Sequence, residues 1–305
     1  MKSDVICLGE VMVELSLNDA TPDTAGIGFA GDTFNTSVYL KRKAPGLDIA
    51  YATKLGADKL SDRIVALMDA EHLNTSLVLR SPNRMPGLYA ISTDEEGERS
   101  FLYWRDRAAV RTLFEEPSLD LSALTGTRLF YFSAISLAIL SLEARNRLLS
   151  GLSDLKASGT QIAFDSNYRP ALWEDQATAQ ADIERAWRLT DIGMPSVDDE
   201  MALYGDLDEA SVLSRLNGWG LTDGALKRGA EGPIPLDGGQ GPTCQPASRV
   251  IDSTAAGDSF NGGYLAARLQ GADARQSLLA GHNLAALVVQ HRGAIVSAEL
   301  TEEGS

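Results

Sequence analysis

The stretch Val250-Ile-Asp-Ser-Thr-Ala-Ala-Gly-Asp-Ser-Phe-Asn-Gly-Gly-Tyr264 restricts the fold of this chain more than any other. Its β-branched Val250 and Ile251 predict the end of a strand, and Ser253 to Gly257 is a turn of small residues. From Asp258 the apolar spacing is helical, with Phe260, Tyr264, Leu265 and Leu269 on one face. Strand, small-residue turn and helix start in that order make a unit of an α/β fold. A helix start offers N–H groups without helical partners and the positive end of a dipole, so the amides around Ala255, Ala256 and Gly257 are able to hold an anion such as phosphate. Asp258 then stands where it can take a proton from a hydroxyl attacking that anion, which is a phosphoryl-transfer geometry. The alternative is that Asp258 only caps the helix.

The charge balance narrows the partners. A net charge of −15 over 305 residues argues against nucleic acid or an anionic membrane, and an anionic substrate must be met by local positive groups. The length allows a full buried core. Cys7 and Cys244, the only two cysteines, lack metal-ligand spacing and read as reduced thiols in the cytoplasm. No apolar run is long enough for a signal peptide or a membrane span. No G-x-x-x-x-G-K-[ST], zinc-ligand cluster or G-x-S-x-G occurs, which removes P-loop nucleotide hydrolases, zinc enzymes and serine hydrolases of the α/β class.

Apolar runs predict strands at Val5–Leu8, Ile49–Thr53, Leu77–Leu79, Leu129–Phe132, Ile162–Phe164 and Ile192–Met194. Helices are predicted through Leu40, to about His72, over Leu140–Ala157 and over Ala274–Gln290, and the acidic tail after Val296 reads as frayed. The whole reads as a doubly wound, mostly parallel sheet flanked by helices. Gly87–Thr93 and Arg99–Arg105, joined by Asp94 to Glu98, predict a hairpin outside that sheet, placed as a lid. Strand alternation puts Phe101, Tyr103 and Arg105 on one face, where Arg105 is suited to gripping a carboxylate or phosphate, or is a solvated surface charge. Asp165-Ser-Asn-Tyr-Arg169 falls at the carboxyl end of a strand, where open α/β sheets bind ligands.

Other segments are less specific. Asn18 to Gly28 is rich in turn formers, and Gly26-Ile-Gly-Phe-Ala-Gly31 matches the dinucleotide fingerprint without a strand directly before it. Gly31-Asp-Thr-Phe-Asn35 is the better unit, leading into a helix. The acids of Pro195-Ser-Val-Asp-Asp-Glu200 suit a helix start. Gly224 to Gly232 is a short strand running into a glycine-rich loop.

Asp252-Ser-Thr-Ala-Ala-Gly-Asp258 resembles the second signature of the ribokinase-like (PfkB) sugar kinases, Asp-Thr-x-Gly-Ala-Gly-Asp, with Ser253 for Thr and Ala255 for Gly. Gly31 to Asn35 is similar to the first, Gly-Gly-x-x-x-Asn, with Ala30 for the first Gly. The resemblance spans the chain and is strongest to the 2-keto-3-deoxygluconate kinase branch, on Tyr89, Tyr103-Trp-Arg-Asp-Arg107, Asp165 to Arg169 and Pro195 to Glu200. It implies a single kinase domain over 1–305 with a β lid from about 10–35 and 86–108. Asp258 is then the catalytic base and the amides of Ala255, Ala256 and Gly257 stabilise the transferred phosphoryl group. Gly31, Asp32, Asn35, Tyr89, Tyr103, Arg105 and Arg169 bind the sugar acid. Asn167, Arg169, Lys227, Gly229, Gly232, Ala255, Gly257 and Asn283, with His282, line the ATP site, and Glu200 organises Mg²⁺ through water. Val197 stands where related kinases carry Asn, and Asp198 or Asp199 is an alternative to Glu200.

The implied reaction is attack of the C6 hydroxyl of 2-keto-3-deoxygluconate on ATP with Mg²⁺, in a cytoplasmic homo-oligomer. The alternatives are a kinase of a neutral ketose such as fructose, a catalytically silent sugar-binding protein, and a dinucleotide enzyme using Gly26 to Gly31.

Overall fold

Along Val5–Leu8, Ile49–Ala52, Leu129–Phe132 and Ile162–Phe164, successive side chains enter two different cores. Ile6, Leu8, Phe130, Phe132, Ile162 and Phe164 belong to one, and Val5, Cys7, Tyr51, Leu129, Tyr131 and Ala163 to the other. Period-two alternation with both faces apolar leaves no face for water, which is the pattern of a parallel sheet covered by helices on both sides.

The computed structural model describes residues 3–17, 23–93 and 99–302. Its first half contains β1 (Val5–Leu8), β2 (Met12–Leu17), β3 (Ala25–Ala30), α1 (Asp32–Lys43), β4 (Ile49–Gly56), α2 (Lys59–Ala70), β5 (Val78–Ser81), β6 (Leu88–Thr93) and β7 (Arg99–Trp104). Next come β8 (Leu129–Ser133), α3 (Ala134–Ala138), α4 (Leu142–Ala157), β9 (Gln161–Asp165), α5 (Gln176–Leu189), β10 (Ile192–Gly193), α6 (Val197–Tyr204) and α7 (Glu209–Gly218). The chain ends with β11 (Ala225–Leu226), β12 (Ile234–Pro235), α8 (Ala256–Leu269), α9 (Ala274–Val288) and α10 (Ala298–Glu302).

Six strands form a sheet in the order β10-β9-β8-β1-β4-β5, every neighbouring pair parallel. The winding reverses between β1 and β8, so the crevice at the carboxyl ends of these two strands is the expected ligand position. A second sheet has the order β3-β2-β6-β7, with β2 and β6 parallel and the outer pairs antiparallel. It therefore contains both arms of the expected hairpin, and the connecting residues Asp94 to Glu98 lie outside the described ones. Among the described residues no helix is long and apolar enough to cross a membrane.

Two glycines set the packing that shapes the crevice. A Cβ at Gly262 would stand 2.7 Å from Tyr39 Cβ on α1, and one at Gly263 would stand 2.8 Å from the Ala280 carbonyl oxygen on α9. Only residues without a Cβ let α8 lie this close to both neighbours.

Four expectations change. Val250 and Ile251 are not a strand: they are 69% and 43% exposed, and the amide of Ile251 donates to the Val289 carbonyl at the end of α9. Their β propensity has no neighbouring strand to pair with. The turn-rich reading of Asn18 to Gly28 fails from Ala25 onward, because β3 pairs residue by residue with β2. Gly26 and Gly28 thus lie inside a strand and not in a strand-to-helix turn, which removes the dinucleotide fingerprint. The expected helix from Leu140 begins at Leu142 behind the separate α3, and the tail carries α10, with Thr301 buried.

Candidate active site

Two cavities meet at the start of α8. The larger, about 670 Å³, lies between the small sheet and the carboxyl ends of the parallel strands. The smaller, about 360 Å³, is an apolar slot between α9 and the loop after β12. Lys227, Gly229, Ser253, Ala256 and Gly257 line both, so a ligand in each would touch the other over the α8 N-terminus.

That N-terminus has the open amides that can accept an anion. Ala255, the N-cap, has φ 58° and ψ 18°, and among the described residues no side chain caps the helix. The Ala256 amide closes a turn on the Ser253 carbonyl at 3.2 Å. The amides of Gly257 and Asp258, in the first turn, have no helical carbonyl before them and point outward from the helix start. Ala255 is the position where the family signature has Gly, and the structure shows why: the backbone is left-handed there, and a Cβ strains it. Ala255→Gly is expected to raise stability by about 1 kcal/mol and the melting temperature by a few degrees, with turnover retained. Thermal unfolding with an activity assay checks this; a lower melting temperature would show that the turn is not strained.

Asp258 does not cap α8, since it lies inside the first turn. Its carboxylate instead accepts a hydrogen bond from Asn35 Nδ2 at 2.8 Å, and its carbonyl accepts one from Thr36 Oγ1 at 3.1 Å. Both donors are on α1, so the close α1–α8 packing aims the carboxylate into the larger cavity. Enclosure in the cavity floor pushes its pKa up to about 8, with Asp32 and Asp165 raising it further, against the Asn35 hydrogen bond and Lys227. A base with that pKa is matched to proton transfer near neutral pH.

Asp32, the first residue of α1, accepts hydrogen bonds from Ser133 Oγ at the end of β8 and from Asn167 Nδ2 at 2.9 Å. Burial raises its carboxyl above the ordinary range. Gly31 lines the same wall and donates its amide to Asn35 Oδ1 at 3.3 Å. Tyr89 and Tyr103, paired across β6 and β7, cover the cavity with ring centres 5.8 Å apart, and Phe101 stacks on Tyr103. The Tyr89 hydroxyl donates to Glu14. Arg169 lines the cavity, more than half exposed, 3.2 Å from Asp199.

Lys227 sits at the junction. Its ammonium donates to Asp165 Oδ1 at 2.8 Å and to Asn261 Oδ1 at 3.3 Å. Asn261 Nδ2 in turn donates to Asp165 Oδ2 at 2.7 Å and to the Tyr131 hydroxyl at 3.1 Å. The sequence places the Asp165 cluster at the carboxyl end of a strand, and the structure brings Asp165 into the larger cavity. Sequence reasoning misses Asn261, whose signal is its position about one helical turn after Asp258.

In the slot, Pro246, Ala247, Val250, Ala285, Ala286 and Val289 make an apolar wall suited to a flat base. This explains the exposed Val250. His282 lines the slot, and its Nε2 lies 2.7 Å from the Gln245 carbonyl oxygen.

Several expected residues stand elsewhere. Arg105 does not line the cavity: β7 ends at Trp104, the alternation stops, and Arg105 is buried in an ion pair with Glu10. Glu200 is fully buried on the far side of α6, accepting from Trp187 Nε1 at 3.1 Å and pairing with Arg215 at 3.0 Å. It is not placed to hold Mg²⁺; Asp198 and Asp199 face the cavity. Asn283 is exposed and does not line the slot, because one residue along α9 from His282 is a turn of about 100°. Gly232 lines neither cavity and faces Cys244. Asn167 is in the larger cavity with Asp32, away from the slot.

The chain matches the model of the pfkB family carbohydrate kinases over residues 2–301. It is 40% identical to the 2-dehydro-3-deoxygluconokinase of Escherichia coli K12, covering 98% of this chain and 99% of that one. It is 36% identical to the Haemophilus influenzae enzyme of the same name, covering 95% and 94%. Among solved structures, the Xylella fastidiosa fructokinase with bound ATP shares the fold at a TM-score of 0.83 and 22% identity, covering 99% and 98%. The Thermotoga maritima 2-dehydro-3-deoxygluconokinase does so at 0.79 and 19%, covering 98% of each chain. An Escherichia coli structure with ATP and Mg²⁺ gives 0.86 and 23%, covering 99% and 98%. With a ribokinase-like fold, an open helix start where two cavities meet and a partly buried carboxylate facing the larger of them, the chain belongs to the pfkB family of carbohydrate kinases.

Proposed function

We propose that this protein transfers the γ-phosphoryl group of ATP to the C6 hydroxyl of 2-keto-3-deoxygluconate, giving 2-keto-3-deoxy-6-phosphogluconate, in the cytoplasm. The junction of the two cavities over the α8 N-terminus, with Asp258 on the sugar side, carries the reading. The relatives with 2-dehydro-3-deoxygluconokinase activity in their names support the choice of sugar acid. In this reading the base of ATP lies in the slot and its phosphates at the Gly257 and Asp258 amides. The hydroxyl stands against Asp258, which takes its proton as the bond to phosphorus forms. The amides, the α8 dipole and Lys227 offset the charge on the group in transfer. Mg²⁺ needs only one or two carboxylates when phosphates complete its shell, and Asp198 and Asp199 fit that need. When bound, it neutralises phosphate charge. The small sheet acts as a lid, with Tyr89 and Tyr103 excluding water. Its exposed Leu102 and Trp104, 54% and 59% accessible, support a homo-oligomer.

Arg169 is the guanidinium left to meet the substrate carboxylate. ADP release is measured with 2-keto-3-deoxygluconate, 2-keto-3-deoxygalactonate, fructose, ribose and no sugar. Keto-deoxy acids are expected to give the highest kcat/KM. Arg169→Ala is expected to raise KM for the acid about tenfold or more while changing fructose kinetics little. Equal effects on both sugars would remove the carboxylate role.

One observation favours a neutral ketose instead. Asp32, Asp165, Asp198, Asp199 and Asp258 line the larger cavity against Arg169 and Lys227, both already paired with acids. Preference for fructose in the same assay would decide for that reading.

A further inference from the structure

Four passages of chain join the six-stranded sheet and its helices to the small sheet, at residues 9–11, 31, 82–87 and 105–108. One residue from each passage meets at a single buried point. Glu10 and Arg105 pair there with side chains 3% and 8% exposed. A Cβ on Gly31 would stand 2.0 Å from the Glu10 carbonyl oxygen. A Cβ on Gly87 would stand 2.5 Å from Glu10 Oε1 and 3.2 Å from Arg105 Cβ. The Tyr51 hydroxyl, from β4, holds the Glu10 carbonyl at 3.1 Å.

The pair is only half satisfied. Arg105 Nη2 donates to Glu10 Oε2, while Glu10 Oε1 and Arg105 Nε, both buried, have no hydrogen-bond partner among the described residues. Orphaned buried polar atoms cost stability, and apolar residues would fill this junction better. Arg105 also reaches the cavity wall indirectly. Its guanidinium carbon lies 5.9 Å from the centre of the Tyr103 ring, and Tyr103 packs on Tyr89. Both rings line the larger cavity.

We infer that Glu10 is a positioning residue: by seating Arg105 where the small sheet joins the core, it sets how Tyr103 and Tyr89 stand over the sugar cavity, and so sets affinity for the sugar without touching it. Nε and Nη2 are the side-on fork of a guanidinium, so the orphaned Nε and Oε1 are the partners of a second, parallel hydrogen bond that forms when the small sheet closes over the sugar. The inference rests on the larger cavity being the sugar site.

Glu10→Gln keeps the shape and an acceptor while removing the charge. The expected result is a KM for the sugar raised about tenfold or more, with kcat and the KM for ATP changed less than about threefold. Arg105→Gln should show the same split, and the double variant should be no worse than either single one, because both remove one interaction. An unchanged sugar KM in a Glu10→Gln protein that still melts cooperatively overturns the inference. So do losses that add in the double variant, or a KM for ATP that rises in step. If Glu10→Gln does not fold, Arg105→Lys takes its place, keeping the charge without the fork; a raised sugar KM supports the inference and an unchanged one overturns it. The wild type is assayed first on the full sugar panel, and the variants on the sugar it prefers. A wild type inactive on every sugar overturns the functional reading, and this inference with it.

Discussion

Asp258→Asn is expected to lower kcat by about 10²–10⁴-fold while leaving the KM for sugar and for ATP within a few-fold of the wild type. Asn has nearly the same shape and keeps an oxygen for the Asn35 Nδ2 hydrogen bond, so the site should remain intact and lose only its proton acceptor. In the wild type, kcat/KM should rise with pH and level off above the pKa of about 8. That rise should be absent in the variant. A stability effect of opposite sense accompanies it. The folded pKa is raised above the ordinary 3.8, so the folded protein holds a proton that the unfolded chain has lost. The stability associated with this proton is fully present below about pH 4 and is lost as pH rises through about 8. Asp258→Asn cannot ionise there, so it should be the more stable protein at about pH 8.5, and thermal unfolding across pH reads the difference. Near-normal turnover in the variant would remove Asp258 as the base.

Lys227→Met has the second largest expected effect, on two quantities at once. It takes the cation from the junction of the cavities and leaves Asp165, with its side chain 3% exposed, without its charge partner. Loss of one partner of a buried pair costs about 3–5 kcal/mol, because the remaining charge stays desolvated. Loss of a donor to the phosphoryl group costs about 10²–10³-fold in kcat. Adding Asp165→Asn to the same protein separates the two. Removing the second charge should restore most of the stability, since the new amide would still meet Asn261, but not the turnover. If turnover returned together with stability, Lys227 would be only a structural partner of Asp165.

What could be read from the chain alone were the features that follow from local chemistry. Unbroken apolar runs such as Leu129–Phe132 have few ways to bury both faces, and a parallel sheet between helices is the one they adopt. Small residues before Asp258 leave a helix start open to an anion wherever that helix packs. These properties are carried by neighbouring residues. Direction across one turn of a helix or past the end of a strand is not. Asp199 and Glu200 are adjacent acids, yet one faces the cavity and the other pairs with Arg215 in the core, because a helix turns about 100° per residue. His282 and Asn283 divide in the same way on α9. Arg105 continues the spacing of Phe101 and Tyr103, but the strand stops before it, and Glu10 from 95 residues earlier claims its charge. Val250 and Ile251 have strand chemistry and no strand to pair with, so Val250 becomes part of the wall of the slot. The layered fold and the open helix start are legible in the chain, because both depend on which residues are next to each other. Which charges face the cavity and which neutralise one another follows from the packing of distant segments, because ion pairing is set by distances between residues far apart in the chain.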